Sequence, residues 1–238
     1  MSENKELLKD GKRIDGRAKD ELRDMEAEAG ILKRADGSGY FRMGGTEVIA
    51  SVFGPRELHP KHKQKPQRGI IQCRYNLAPF SVDDRKRPGP SRRGKEIGKV
   101  AEGALSSIVF LEEFPTATID VYMEVISADA GTRCVALNAG AIALADAGIP
   151  MKGLISACAS GKIEDTPVLD LKGEEDKDGQ VDLPIAMNTD TGEITLLQMD
   201  GMTNVDEMDE MLDLAIGGCK KVAEKQREAL METFGDKK

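Results

Sequence analysis

The sequence predicts a single α+β domain with mixed β-sheets packed against helices. Three observations carry that expectation. Thr118 to Ser127 alternates strictly, with Ile119, Val121, Met123 and Val125 on one face, the period of a half-buried strand. Three stretches, opening near Ser91, Thr132 and Asn204, repeat their apolar residues at helical spacing. Between them lie short apolar runs punctuated by Gly and Pro, the pattern of strands and turns. No linker divides the chain and no repeat recurs at solenoid periods, so the expected extent is one domain over residues 1–238.

In order along the chain, residues 1–28 are polar and charged, the first sixteen or so forming a lead-in. Gly30 to Arg34, Gly39 to Met43 and Glu47 to Phe53 read as short strands separated by Asp36-Gly37-Ser38-Gly39 and Gly44-Gly45. Gly54 to Gly69 is irregular and basic, Ile70 to Phe80 strand-like, and Asp83 to Pro90 a charged loop. In a helix from Ser91, Ile97, Val100, Ala101, Ala104, Leu105, Ile108, Val109 and Leu111 recur at helical spacing, with Pro115 beyond its end. A second helix, about Thr132 to Asp146, is apolar nearly all round, so it should be buried. Leu154 to Ile163, Val168 to Leu171, Val181 to Met187 and Glu193 to Met199 read as further strands, and Glu174 to Gln180 between them as an acidic loop. Asn204 with Glu207 three residues on forms a capping box for a long last helix reaching about Met231. The tail, about 233–238, is polar.

Composition narrows the class. Cys73, Cys134, Cys158 and Cys219 show no C-x-x-C spacing, which argues against a zinc ribbon or redox pair. Neither a secretory leader nor a run of about 18 apolar residues is present. The expectation is a soluble cytoplasmic protein with no membrane partner. Net charge is −8, yet Arg56 to Lys99 holds 13 Lys/Arg against 4 Asp/Glu. Such asymmetry fits either a face for a polyanion or a solvated basic loop.

Four stretches could carry chemistry. Asp129-Ala130-Gly131-Thr132-Arg133 runs from a strand through a Gly turn into a helix N-terminus. Free N–H groups there, with the Thr132 hydroxyl and the Arg133 fork, suit phosphate; an ordinary capped helix is the alternative. Asp182 opens an apolar strand behind the acidic loop, where a carboxylate could bind Mg²⁺ or act as a general acid; a surface turn is the alternative. Arg92-Arg93 at a helix start opposes the helix dipole unless an anion offsets it. His59-Pro60-Lys61-His62 holds both histidines, too few ligands for a metal. Walker, G-x-S-x-G and G-x-G-x-x-G motifs are absent.

Several ordered motifs then resemble one family. Lys12-Arg13-Ile14-Asp15-Gly16-Arg17 is similar to the opening of RNase PH-type exoribonucleases. Asn76 to Ser81, Arg85 to Arg93, Ala128 to Arg133, Gly148 to Gly153 and Leu196 to Gly201 resemble the archaeal exosome branch, so the likeness runs from about Gly11 to Met231. The resemblance implies an RNase PH-like fold of duplicated-looking β-α-β units, with two sheets and helices between and outside them. It implies a phosphorolytic 3′-5′ exoribonuclease with inorganic phosphate as co-substrate and Mg²⁺ as cofactor. It also implies single-stranded RNA as substrate, a hexameric ring shared with a paralogous non-catalytic subunit, three of each, and RNA-binding cap subunits. On matching positions, Gly131, Thr132 and Arg133 would bind phosphate. Asp182 and Asp176 would be catalytic or hold Mg²⁺, and Arg92, Arg93, Arg68 and Lys61 would contact RNA. A homohexameric transfer-RNA-trimming enzyme and a non-catalytic RNA-binding ring subunit are the alternatives.

Overall fold

The computed structural model describes residues 7–9, 12–84 and 86–235. Most of the first ten lead-in residues, Arg85 of the basic motif and the last three tail residues therefore lie outside the described residues.

Strands β1 (Leu8–Lys9) and β2 (Lys12–Arg13) form a small antiparallel ribbon. A five-stranded sheet follows, from β3 (Met25–Ala29), β4 (Gly37–Met43), β5 (Thr46–Glu57), β6 (Ile70–Leu77) and β7 (Ala117–Ser127), in the order β3-β4-β5-β7-β6. All its pairs are antiparallel except β6 with β7. A parallel pair needs a crossover, and helix α1 (Arg92–Ile108) supplies it. The second sheet holds β8 (Ile155–Ile163), β9 (Thr166–Leu169), β10 (Val181–Asn188), β11 (Ile194–Leu197) and the two-residue β12 (Asp200–Gly201). It runs β11-β10-β8-β9, with β12 also on β10.

Helix α2 (Thr132–Asp146) lies between the sheets and packs on both, so Cys134 to Leu144 are all buried. Its uniformly apolar surface follows from having protein on every side. Gly37 and Gly39 admit it: a Cβ at either would sit 2.2–2.5 Å from α2 backbone atoms. The main core joins Phe41, Val48 and Val121 of the first sheet to Leu105 of α1, Leu137 of α2 and Ile155 of the second sheet. The last helix, α4 (Val205–Phe234), covers the second sheet, where Met211, Ala215 and Cys219 meet Cys158 and Ile185. Its cap is as expected: Asn204 Oδ1 accepts from Glu207 N at 2.9 Å. No helix among the described residues is long and apolar enough to cross a membrane.

Three expectations change. Gly30 to Arg34 is a turn, with Gly30 at φ +73°, and the strand lies before it at Met25–Ala29. There Met25, Ala27 and Ala29 are half-buried against the core while Glu26 and Glu28 face out. The lead-in is polar but not all exposed, for Leu7, Arg13, Arg17 and Arg23 are buried. The acidic loop contains a short helix, α3 (Gly173–Asp178), with Glu175 fully buried. A partner far away in the chain draws that carboxylate inward, which local pattern cannot register.

Candidate active site

A cleft of about 690 Å³ opens where α1, α2, α3 and the β10–β12 corner converge. Arg92, Arg93, Arg133, Asp176 and Asp182, five of the residues singled out from sequence, line it. Gly131 and Thr132 line an adjoining recess of about 390 Å³, which shares Arg93 and Asp176 with the cleft.

The turn after β7 builds one wall. Ala130 and Gly131 are both left-handed, at φ 60° and 63°, and this reverses the chain into α2. Gly131 caps the helix without a side chain, and the first helical bond runs from Val135 N to Gly131 O. The N–H groups of the first turn thus have no intrahelical partner and, with the helix dipole, favour an anion. The Tyr75 hydroxyl donates to Thr132 Oγ1 at 2.8 Å, leaving the Thr132 proton to donate elsewhere.

Three guanidinium groups face this wall. Arg92 and Arg93 open α1 just after Ser91, whose Oγ accepts from Gly94 N at 2.9 Å. Arg133 follows Thr132, and its Nε is buried with no hydrogen-bond partner. Among the described residues none of the three makes an ion pair. Concentrated cations without internal partners are the electrostatic form of a polyanion site.

The carboxylates stand opposite. Asp182 lies on β10 in register with Gly161 of β8 and Asp200 of β12, so the sheet holds it rigidly. Burial pushes its pKa up to about 6; Asp176 and Asp200 add to the rise, and Arg133 and Arg93 oppose it. Asp176, on α3, is also raised by burial, against the pull of Arg93, Arg133 and Arg23. Of the crowded acids on α3, only Asp176 lines the cleft; Glu175 beside it is buried with Arg13.

Behind the wall lies a paired network that sequence reasoning missed. Arg23 donates to Asp170 through Nε at 2.9 Å and Nη2 at 2.7 Å, and through Nη1 to the Asp129 carbonyl. Asp129 Oδ1 accepts from Gly173 N at 3.1 Å, tying the turn to α3. Asp200, Glu96 and Gln198 also line the cleft unforeseen. Asp200 and Glu96 lie outside the acidic loop and carry no local mark, and their roles depend on what folds opposite them. In hindsight Arg13, Arg17 and Arg23 carried one signal: three arginines spaced through a segment otherwise read only as a polar lead-in.

Arg68 and Lys61 are not in the cleft. Both are exposed; Lys61 Nζ is 3.8 Å from Glu57 Oε1 at the far end of β5. Glu57 pairs with Ala117 at the start of β7, whereas the anion turn follows Ser127 at its end. The two sites are separated by roughly 30 Å of strand. His59 and His62 share that remote, exposed loop, and all four cysteines are free.

Comparison with known proteins gives the lineage. Residues 21–150 match the model for domain 1 of the 3′ exoribonuclease family, and residues 153–218 the model for domain 2. The chain is 52% identical over 237 residues to the exosome complex component Rrp41 of Methanopyrus kandleri, covering 99% of each chain. It is 55% identical over 238 residues to the component of the same name in Pyrococcus abyssi, covering 98% of this chain and 96% of that one. Its fold is similar to the crystal structure of rice Rrp46, with a TM-score of 0.80 at 25% identity, over 92% of this chain and all of the other. The two sheets with α2 between them are accordingly the RNase PH-like architecture, and the chain belongs to the RNase PH family of 3′ exoribonucleases.

Proposed function

We propose that this chain removes nucleotides from the 3′ end of single-stranded RNA by phosphorolysis, as the catalytic subunit of an archaeal exosome ring. One observation carries the reading. Three arginines with no ion-pair partner among the described residues share a cleft with a carboxylate whose pKa is pushed up to about 6, beside a recess that holds a bare helix N-terminus. A non-catalytic RNA-binding subunit would use the arginines but has no need of the buried carboxylate set among them. The similarity to archaeal exosome components over the full length favours the ring over a homohexamer.

In this mechanism Gly131, Thr132 and Arg133 hold inorganic phosphate, while Arg92 and Arg93 hold the terminal phosphodiester. Bringing two anions together costs Coulomb energy, which the cations and the α2 dipole offset. A phosphate oxygen attacks the terminal phosphorus, the bond to the 3′ oxygen of the preceding nucleotide breaks, and a nucleoside 5′-diphosphate leaves. Asp182 either gives the departing oxygen its proton, the role its raised pKa suits, or takes the other role open to it, holding Mg²⁺. The phosphodiester's energy is kept in the diphosphate, so the reaction also runs backwards as tail addition.

Mg²⁺ fits the donor chemistry. Among the described residues no group of three or more His, Cys, Asp or Glu forms a metal cage. Mg²⁺, however, commonly takes one or two carboxylates and completes its shell with water and phosphate oxygens. Asp182 and Asp176 would hold it, and once bound it would stabilise charge on the leaving oxygen. The two roles of Asp182 have opposite pH signs. As an acid it must be protonated, so the rate falls as pH rises through about 6. As a ligand it must be ionised, so the rate would rise over the same interval.

The rest of the assembly follows the same reading: three copies alternate with three of a paralogous non-catalytic subunit, under RNA-binding caps. Arg68 and Lys61 then contact the RNA upstream of the cleft, a role compatible with their exposure and their distance from it. Both family segments act as one domain, since α2 and the main core belong to both sheets. The free cysteines suit a reducing cytoplasm.

The test is digestion of 3′-labelled RNA, with and without phosphate, by the chain alone and with its ring partner. Nucleoside diphosphates that require both phosphate and partner are expected. Activity of the chain alone would point to the homohexamer, and monophosphates would overturn phosphorolysis.

A further inference from the structure

Asp182 is held by a sheet, but Asp176 is not. It rides on α3, six residues long, and a helix that short does not hold itself in water. Among the described residues the Asp176 carboxylate makes no hydrogen bond, so its place in the cleft is set by whatever fixes α3.

What fixes α3 comes from the other end of the chain. Glu175 turns inward, and its carboxylate takes the fork of Arg13: Nε to Oε1 at 2.8 Å and Nη2 to Oε2. Both side chains are wholly buried. Glu175 Oε2 also accepts from Lys172 N at 2.8 Å, closing the first turn of the helix. The rest of the Arg13 guanidinium bonds the backbone leading into α3, through Nη1 to the Leu169 carbonyl and Nη2 to the Asp170 carbonyl at 2.7 Å. One side chain thus staples the end of β9 to the middle of α3. Neighbouring helix residues point about 100° apart, so the angle at which Glu175 is gripped sets where Asp176 projects.

We propose that Arg13 is a positioning residue: its bidentate grip on Glu175 fixes the rotation of α3 and holds the Asp176 carboxylate opposite Asp182. The inference rests on the catalytic reading of Asp176 and Asp182 given above. A buried ion pair is a poor stabiliser compared with apolar side chains of similar size, but a planar fork on a carboxylate specifies direction. Arg13 reaches the chemistry only through another residue, as partners behind a catalytic ligand do.

The experiment uses the full chain in its ring and the paired variant Arg13→Met/Glu175→Met, which removes the fork while leaving no buried charge unpaired. Melting temperature, kcat, and KM for phosphate are measured. The expected result is a melting temperature lowered by the Leu169, Asp170 and Lys172 backbone groups that lose a side-chain partner yet still well above the assay temperature, kcat reduced at least about tenfold, and phosphate KM within about twofold. Combined with Asp176→Asn, the pair should add less than about twofold to the loss from Asp176→Asn alone. Arg13→Lys, assayed well below its melting temperature, should show the same split, because lysine keeps the charge and lacks the fork. The same criteria apply to it if the Met pair does not assemble. A kcat within about twofold of the unaltered ring, or losses that multiply with Asp176→Asn, would overturn the proposal. Phosphate-dependent release of diphosphates by the unaltered ring, abolished in Asp182→Asn, upholds the catalytic reading whichever way the Arg13 variants fall.

Discussion

Two arginine triads stand on either side of the same turn. Arg13, Arg17 and Arg23 lie behind it, with side chains 0–9% exposed, and each has a carboxylate partner: Glu175, Asp15 and Asp170. Arg92, Arg93 and Arg133 lie in front, and none has a partner among the described residues. The acids divide the same way. Glu175 and Asp170 are neutralised by arginines, while Asp176 and Asp182 share the cleft, both raised by burial, with Asp176 adding to the rise at Asp182. Charge satisfied within the fold sets geometry. Charge left unsatisfied across a cleft is held for a ligand, at a cost in self-repulsion that the rigid network behind it sustains.

Exchanging the treatment of the two sides sharpens the contrast. The largest effect belongs to Asp182→Asn, which keeps shape and removes the titrating proton. Turnover should fall by about two to four orders of magnitude with RNA affinity nearly retained. Single-turnover digestion beside an RNA-binding titration measures both, and surviving turnover removes Asp182 from the chemistry.

Next comes Arg23→Ala, which leaves the buried Asp170 carboxylate without its bidentate partner. Breaking such a pair costs about 3–5 kcal/mol, read as a lower urea midpoint. An unchanged midpoint would mean that the rear triad does not brace the fold. Arg133→Ala should behave in the opposite way. It breaks no side-chain bond among the described residues, so the midpoint stays, while KM for phosphate rises about ten- to a hundredfold, the worth of about 1.5–3 kcal/mol for a charge-assisted bond. If stability falls instead, the cleft arginines are structural after all. The smallest effect is that of Arg92→Ala. In a log–log plot of RNA affinity against salt, the slope should drop by about 0.7, because one RNA phosphate is no longer neutralised. An unaltered slope would place Arg92 off the RNA path.

Much of the frame was legible from local pattern. The alternation of Ile119, Val121, Met123 and Val125 marks β7 to within a residue, and the apolar girth of Thr132 to Asp146 marks a buried helix. The Gly131 turn was legible too, because a strand, a glycine and a helix start are consecutive. The strand at Met25–Ala29 escaped because Glu26 and Glu28 made an edge strand look like a polar leader. Helix α3 escaped because its anchor is Arg13, 162 residues from Glu175 along the chain.

The sequence by itself determined most of the elements, the burial of α2, and the motifs that carry the family likeness, since each is written in residues a few positions apart. Only the tertiary structure decided which charges are paired and which are bare. An arginine bound to a carboxylate and an arginine awaiting an anion are the same letter. What separates them is the distance to a group elsewhere in the chain, and that distance exists only once both sheets have closed around α2.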